Sequence, residues 1–156
     1  MSAQPNLGMK PTQFENPMGI DGFEFVEFAA ADPALLHALF LRMGFTAVAR
    51  HRNRAITLYR QGGVNFLVNE DPDSFAADFA RAHGPCACGF AIRVQKPAHW
   101  VAEQAVANGG ALVDHKAATR AVDTPVIKGI GDCMLYLVDR YGDKGSVYGE
   151  FEPVAG

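Results

Sequence analysis

The stretch whose reading decides the fold runs from residue 22 to residue 44: Gly22-Phe-Glu-Phe-Val-Glu-Phe28, then Ala29-Ala-Ala-Asp32, then Pro33-Ala-Leu-Leu-His-Ala-Leu-Phe-Leu-Arg-Met43-Gly44. The first seven residues are rich in aromatic and β-branched side chains and lack proline, which predicts a strand. Asp32 stands where a helix needs a cap, and Pro33 takes the first helical position, where its missing N–H costs nothing. Leu35, Leu36, Leu39, Phe40 and Met43 form one apolar stripe, so the helix over 33–43 is expected to pack on a sheet. Gly44 ends it.

Outward from this stretch, residues 45–50, 55–60 and 64–69 read as three short strands, with Gln61-Gly-Gly63 as the tight turn between the last two. The same order then recurs about 65 residues later. A strand covers 88–94, and a helix over 97–108 carries Val101, Ala102, Ala105 and Val106 on its buried side and closes at Gly109-Gly110. Further strands begin at Ala111. Two β-α-β-β-β units of this kind make an α+β fold, an open eight-stranded cup with its helices outside. The repeats are 22–69 and 86–152, joined by a helical linker over 70–85 in which Asp73 is the expected cap and Phe75 and Phe79 lie one turn apart. After 111–115 the copies diverge. Residues 116–131 read as a long connection that covers or docks onto something, and strands over 133–138 and 146–151 complete the sheet. Residues 1–13 form a polar, proline-containing flexible tail, and 14–156 form a single domain.

A chain of 156 residues is long enough for one domain with a real core. With 49% hydrophobic and 20% charged residues it has the composition of an ordinary soluble globule. The net charge of −3 argues against a nucleic-acid partner, and the cationic cluster Arg50, His51, Arg52 and Arg54 falls at a hairpin, where a solvated turn is expected. No apolar run approaches the roughly 18 residues of a membrane span. The first twenty residues carry Pro5, Pro11, Glu15 and Pro17 and lack the apolar centre of a secretory signal. Three cysteines do not make a disulfide framework, so a reduced, cytoplasmic setting is expected.

Chemistry-bearing residues are present without a constellation. His37, His51, His83, His99 and His115 include no close-spaced ligand pair and are expected at the surface or at element ends, without oriented partners. Cys86-x-Cys88 departs from the zinc spacing C-x₂₋₄-C, and its single intervening residue is read as placing the thiols on opposite faces of a strand. Gly129-x-Gly131 lacks the Lys-Ser/Thr of a phosphate loop, and Ser74 and Ser146 have no His-Asp setting. Glu24 and Glu27 have opposite parity on one strand, and Glu150 and Glu152 share a face near the chain's end, where solvation is expected. No catalytic, cofactor-binding or metal-binding residue is expected.

Specific runs carry a family resemblance. They are Glu15-Asn-Pro-Met-Gly-Ile-Asp-Gly-Phe-Glu-Phe-Val-Glu-Phe28, Leu58-Tyr-Arg-Gln-Gly62, His83-Gly-Pro85 with Cys88-Gly-Phe-Ala-Ile-Arg-Val94, and Pro125-Val-Ile-Lys-Gly-Ile-Gly131 leading into Leu135-Tyr-Leu-Val-Asp-Arg-Tyr-Gly142. In this order they resemble the amino-terminal domain of the 4-hydroxyphenylpyruvate dioxygenase family, from about residue 15 to residue 151. The resemblance implies the vicinal oxygen chelate fold of the glyoxalase, bleomycin-resistance and dioxygenase superfamily. It implies an oxidoreductase of tyrosine catabolism that turns 4-hydroxyphenylpyruvate and O₂ into homogentisate and CO₂. The Fe(II) of such an enzyme is held by two His and one Glu in a second cup, with open positions for an α-keto acid and O₂. This chain stops at Gly156, before a second cup.

By register with catalytic members of the wider fold, the ligand-equivalent positions are Phe25 on strand one, Gly89 on strand five and Tyr148 on strand eight. The chain alone is therefore expected to lack an iron site and to be inactive, its cup filled by Phe23, Phe25, Phe66 and Phe90. It would serve as a structural and assembly half whose partner is the second catalytic cup or identical subunits, as a homodimer or homotetramer. Rival readings are a stand-alone small-ligand binding protein of the same fold, a metalloenzyme with ligands supplied across a dimer, and the amino-terminal part of hydroxymandelate synthase.

Overall fold

The structure, a computed structural model, describes residues 14–114 and 120–154, so the readings placed on 1–13, on His115 and its neighbours to 119, and on 155–156 lie outside the described residues. Strand β1 (Ile20–Ala29) is followed by α1 (Pro33–Arg42), β2 (Thr46–His51), β3 (Ile56–Gln61) and β4 (Val64–Asn69). Helix α2 (Phe75–His83) leads to β5 (Cys86–Val94), α3 (Ala98–Ala107), β6 (Val126–Lys128), β7 (Met134–Val138) and β8 (Phe151–Pro153). The strands form one open eight-stranded sheet in the order β6-β7-β5-β1-β4-β3-β2-β8. This is the α+β cup read from the sequence. Its two halves meet at the β1–β5 antiparallel pair, and the first strand of each half lies parallel to a later one, β1 to β4 and β5 to β7.

Local chemistry sets the helix ends. Asp32 Oδ1 accepts a hydrogen bond of 3.2 Å from the Ala34 N–H, and Pro33 opens α1. Gly44 turns the chain out of α1 with φ +90°, a conformation that a side chain would strain. At α2 the cap is Ser74 rather than Asp73. The Ser74 hydroxyl accepts from the Ala77 N–H at 3.1 Å and donates to the Asp71 carbonyl at 2.6 Å. The α1 stripe also divides. Leu36 and Phe40 are buried, whereas Leu35, Leu39 and Met43 stay exposed, because five apolar positions span more of the helix than one sheet face covers.

The later part of the chain departs from the simple repeat. The connection read over 116–131 contains β6, which pairs antiparallel with β7, and Leu112 makes an isolated bridge to Ile127. The strand read over 146–151 is instead a turn followed by the short β8. That strand pairs with β2, so it covers the far edge of the first half. Alternation and propensity mark a strand, but the pairing edge is set by where the chain emerges, and a bare β2 edge is one that a final strand can cover.

Alternation along each strand sorts two cores. Inside the cup, Phe25, Leu58, Leu67, Ala91, Tyr136 and Val138 pack with Ala121, Val122 and Val126. Outside, α1 covers Tyr59 and Val68, with Phe66 packed beside them; α2 covers Ala29 and Cys88, and α3 covers Val94 and Leu137. Of the four phenylalanines read as filling the cup, only Phe25 does. Phe66 stacks on Phe45 outside, and Phe23 is 67% exposed beside Phe90. Cys86 and Cys88 share the face toward α2, which corrects the reading of opposite faces: residues two apart on a strand point the same way.

Candidate functional site

The three positions read from the sequence as ligand-equivalent, Phe25, Gly89 and Tyr148, lie at the cup interior. Phe25 is 1% exposed, with its ring 5.1 Å from that of Tyr136 and 6.2 Å from that of Tyr148. Gly89 pairs across β1 and β5 with Glu27. A Cβ there would lie 3.2 Å from Glu27 Oε2 and 3.1 Å from the Met134 carbonyl, so the missing side chain leaves room for a carboxyl group. Tyr148 lies in the turn before β8 and not on a strand. Its hydroxyl is buried beside the Glu24 carboxylate, and burial first, then that carboxylate, pushes the phenol up.

The centre of the site is Glu27, which reading by parity alone passed over. It is 1% exposed. Asn69 Nδ2 donates to Oε1 at 2.8 Å and the Tyr136 hydroxyl donates to Oε2 at 2.8 Å, while the Ala121 N–H donates to the Tyr136 oxygen at 3.2 Å. Burial raises the carboxyl's pKa, against the hydrogen bonds from Asn69 and Tyr136 and the charge of Arg54. Tyr136 is driven well up by burial and then by Glu27, so it stays a donor. One signal in the sequence pointed here: Glu27 has the parity of Phe25. Glu24, of opposite parity, is buried as well. The β1–β5 register skips it between Phe23 and Phe25, and its carboxylate accepts from Arg93 Nε at 2.6 Å and Asn65 Nδ2 at 3.4 Å. Glu24 and Glu27 are thus both buried, each with partners of its own.

The cup is closed by the segment after residue 119. Arg54 Nη1 donates to the Arg120 carbonyl and the Thr124 hydroxyl donates to the Leu137 carbonyl, while Ala121 and Val122 are buried on the inner core. Arg54 Nε also meets Asp71 Oδ2 at 2.7 Å, which holds the Asp71 carboxyl below its ordinary value. The long connection thus docks onto the cup itself.

A family profile described as hydroxyphenylpyruvate dioxygenase (HPPD), N-terminal, matches residues 14–152. The chain belongs to this family. It is 44% identical over 135 residues to the 4-hydroxyphenylpyruvate dioxygenase of Pseudomonas sp. (strain P.J. 874), covering 86% of this chain and 38% of that protein. It is 46% identical over 136 residues to the hemolysin VllY of Vibrio vulnificus (strain CMCP6), covering 85% and 38%. A solved xylose isomerase-like TIM barrel/4-hydroxyphenylpyruvate dioxygenase fusion protein superposes with a TM-score of 0.76 at 30% identity, over 94% of this chain and 24% of that one. The chain spans about two fifths (38%) of the length of each of these two curated relatives.

The HPPD family implies Fe(II), and the residues of this cup do not fit it. Phe25 and Gly89 offer no donor atom, the Tyr148 phenol is held protonated, and both Glu27 oxygens are engaged. Among the described residues no three His, Cys, Asp or Glu side chains gather into a metal-binding group.

Nor are the histidines all without partners. His37 Nδ1 lies 2.6 Å from the Tyr59 hydroxyl and Nε2 lies 2.9 Å from Glu70 Oε2. His51 ends β2 but is buried, accepting the Asn53 N–H at Nδ1 and facing Glu150 with Nε2. His83 ends α2 against the Phe79 ring, and His99 lies in the first turn of α3. Among the described residues no helix is long and apolar enough to cross a membrane.

Proposed function

We propose that this chain is the non-catalytic, amino-terminal cup of an HPPD-type enzyme and that it works as a packing and assembly half. The observation that carries the reading is the filled interior. Where a catalytic cup of this fold presents metal ligands, this one packs Phe25 against Tyr136 and places the Glu27 carboxyl group opposite Gly89. A cup closed by its own segment supplies rigid surface, not a reaction chamber. In the whole enzyme, iron would sit in a second cup, where 4-hydroxyphenylpyruvate would be decarboxylated and hydroxylated to homogentisate in tyrosine catabolism. The partner of this half would be that second cup or further copies of the chain. Three free thiols fit a reducing cytoplasm. The relative named 4-hydroxyphenylpyruvate dioxygenase favours the homogentisate-forming reaction over the mandelate-forming one.

The test is direct. The purified chain, given Fe(II) and 4-hydroxyphenylpyruvate, is expected to hold well under one iron per chain by elemental analysis and to consume no oxygen above the buffer rate. Stoichiometric iron with turnover would overturn the proposal.

A further inference from the structure

The outer side of the sheet carries a cleft that the cup does not use. Its volume is about 570 Å³, and its walls include His37 of α1, Arg50 at the end of β2, Thr57 and Tyr59 of β3, Arg54, and Glu70 just after β4. Its acceptors are already committed. Glu70 faces His37 Nε2, and the Tyr59 hydroxyl is bound to His37 Nδ1. Burial and the Glu70 carboxylate raise the Tyr59 phenol, so it remains protonated.

The donors, in contrast, are left over. Arg50 and Thr57 are cross-strand partners, and among the described residues neither the guanidinium nor the hydroxyl has a hydrogen-bond or ion-pair partner, although Thr57 is only 4% exposed. Arg54 spends Nε on Asp71 and Nη1 on the Arg120 carbonyl, and its buried Nη2 has no partner. A buried donor without an acceptor is costly, and Arg54 Nη2 is one; beside it the exposed Arg50 guanidinium and the Thr57 hydroxyl stay open to an acceptor that arrives from outside.

We propose that this cleft binds a small-molecule monocarboxylate. The planar Arg50 fork matches the two oxygens of a carboxylate, and the adjacent Thr57 hydroxyl donates to one of them. Charge selects the class. Asp71 offsets Arg54, and Glu70 on the cleft wall repels a second negative charge, so one negative charge is favoured over two. The volume leaves room beyond the carboxylate for a small aromatic or aliphatic body.

The test titrates the 156-residue chain with sodium benzoate, and in a parallel arm with inorganic phosphate, at constant ionic strength, followed by ¹H–¹⁵N NMR. Benzoate is expected to give saturable shifts at the Arg50, Thr57 and Tyr59 amides. Arg50→Ala is expected to weaken binding at least tenfold and Thr57→Val to weaken it as well. Arg50 is exposed, so its variant should keep the Phe25 and Tyr136 resonances unmoved. Linear, unsaturable drift with benzoate would overturn the site, as would unchanged affinity in Arg50→Ala. Tighter binding of phosphate than of benzoate would overturn the monocarboxylate class. The readout uses only nuclei of this chain, so it stands or falls separately from any iron chemistry in a second cup.

Discussion

Phe25 and Glu27 stand two residues apart on the inner side of β1, one an aromatic ring and the other a carboxyl group, and both are nearly inaccessible to water. Phe25 touches Tyr136 and Tyr148, so Phe25→Ala should cost about 3–5 kcal/mol in urea unfolding. A loss under about 1 kcal/mol would show that the ring is not packed as described. Glu27 makes a prediction in pH. Its folded carboxyl titrates above its unfolded value, so between the two the folded state holds more protons than the unfolded one. Its contribution is therefore full below about pH 4.5 and is lost as pH rises toward the folded value, with a slope of at most about 1.4 kcal/mol per pH unit. Glu27→Gln, neutral at every pH, should lack that decline. The Asp71 effect has the opposite sign, being lost as pH falls, but it is common to both proteins and cancels in the difference. Parallel stability curves for wild type and Glu27→Gln from pH 4.5 to about pH 8 would refute the assignment.

Among the elements, α2 shows how one hydroxyl fixes a boundary. Ser74 satisfies the Ala77 N–H and ties back to Asp71, whose carboxylate holds Arg54 and whose N–H donates to Asn69 Oδ1. The cap of α2 is thus joined to the residue that donates to Glu27. Ser74→Ala should cost about 1 kcal/mol by thermal or urea unfolding. A change under about 0.3 kcal/mol would return the capping role to Asp73. The short β8 has a different task, since its pairing with β2 covers an edge that would otherwise present unpaired backbone groups.

On the scale of the molecule, what stays uncovered matters most. Leu35, Leu39 and Met43 form an exposed ridge on α1, at 64%, 47% and 51% accessibility. Contiguous apolar surface of this kind tends to find a partner, and a symmetric dimer is the commonest closed arrangement. Sedimentation over a wide concentration range should therefore show a dimer or tetramer that dissociates more readily in a Leu35→Ser, Leu39→Ser double variant. A monomer at every concentration would argue against an assembly role and for a self-sufficient binding domain.

The sequence by itself determined the order of elements from β1 to α3, the two ends of α1 at Pro33 and Gly44, and the repeated strand-helix unit, because turns, caps and periodicity act within a few residues of themselves. The runs shared with the HPPD family were legible for the same reason. What lay hidden was long-range. Residue 27 meets residues 69 and 136, residue 37 meets 59 and 70, and residue 151 pairs with 51, contacts that no local window contains. Which leucine of α1 is buried depends on the width of the sheet beneath it, and which sheet edge receives β8 depends on where the chain crosses the cup. The tertiary structure alone decided that the cup holds a carboxyl group opposite a glycine, since the free energy of burying Glu27 depends on Asn69, Tyr136 and the space at Gly89 arriving together.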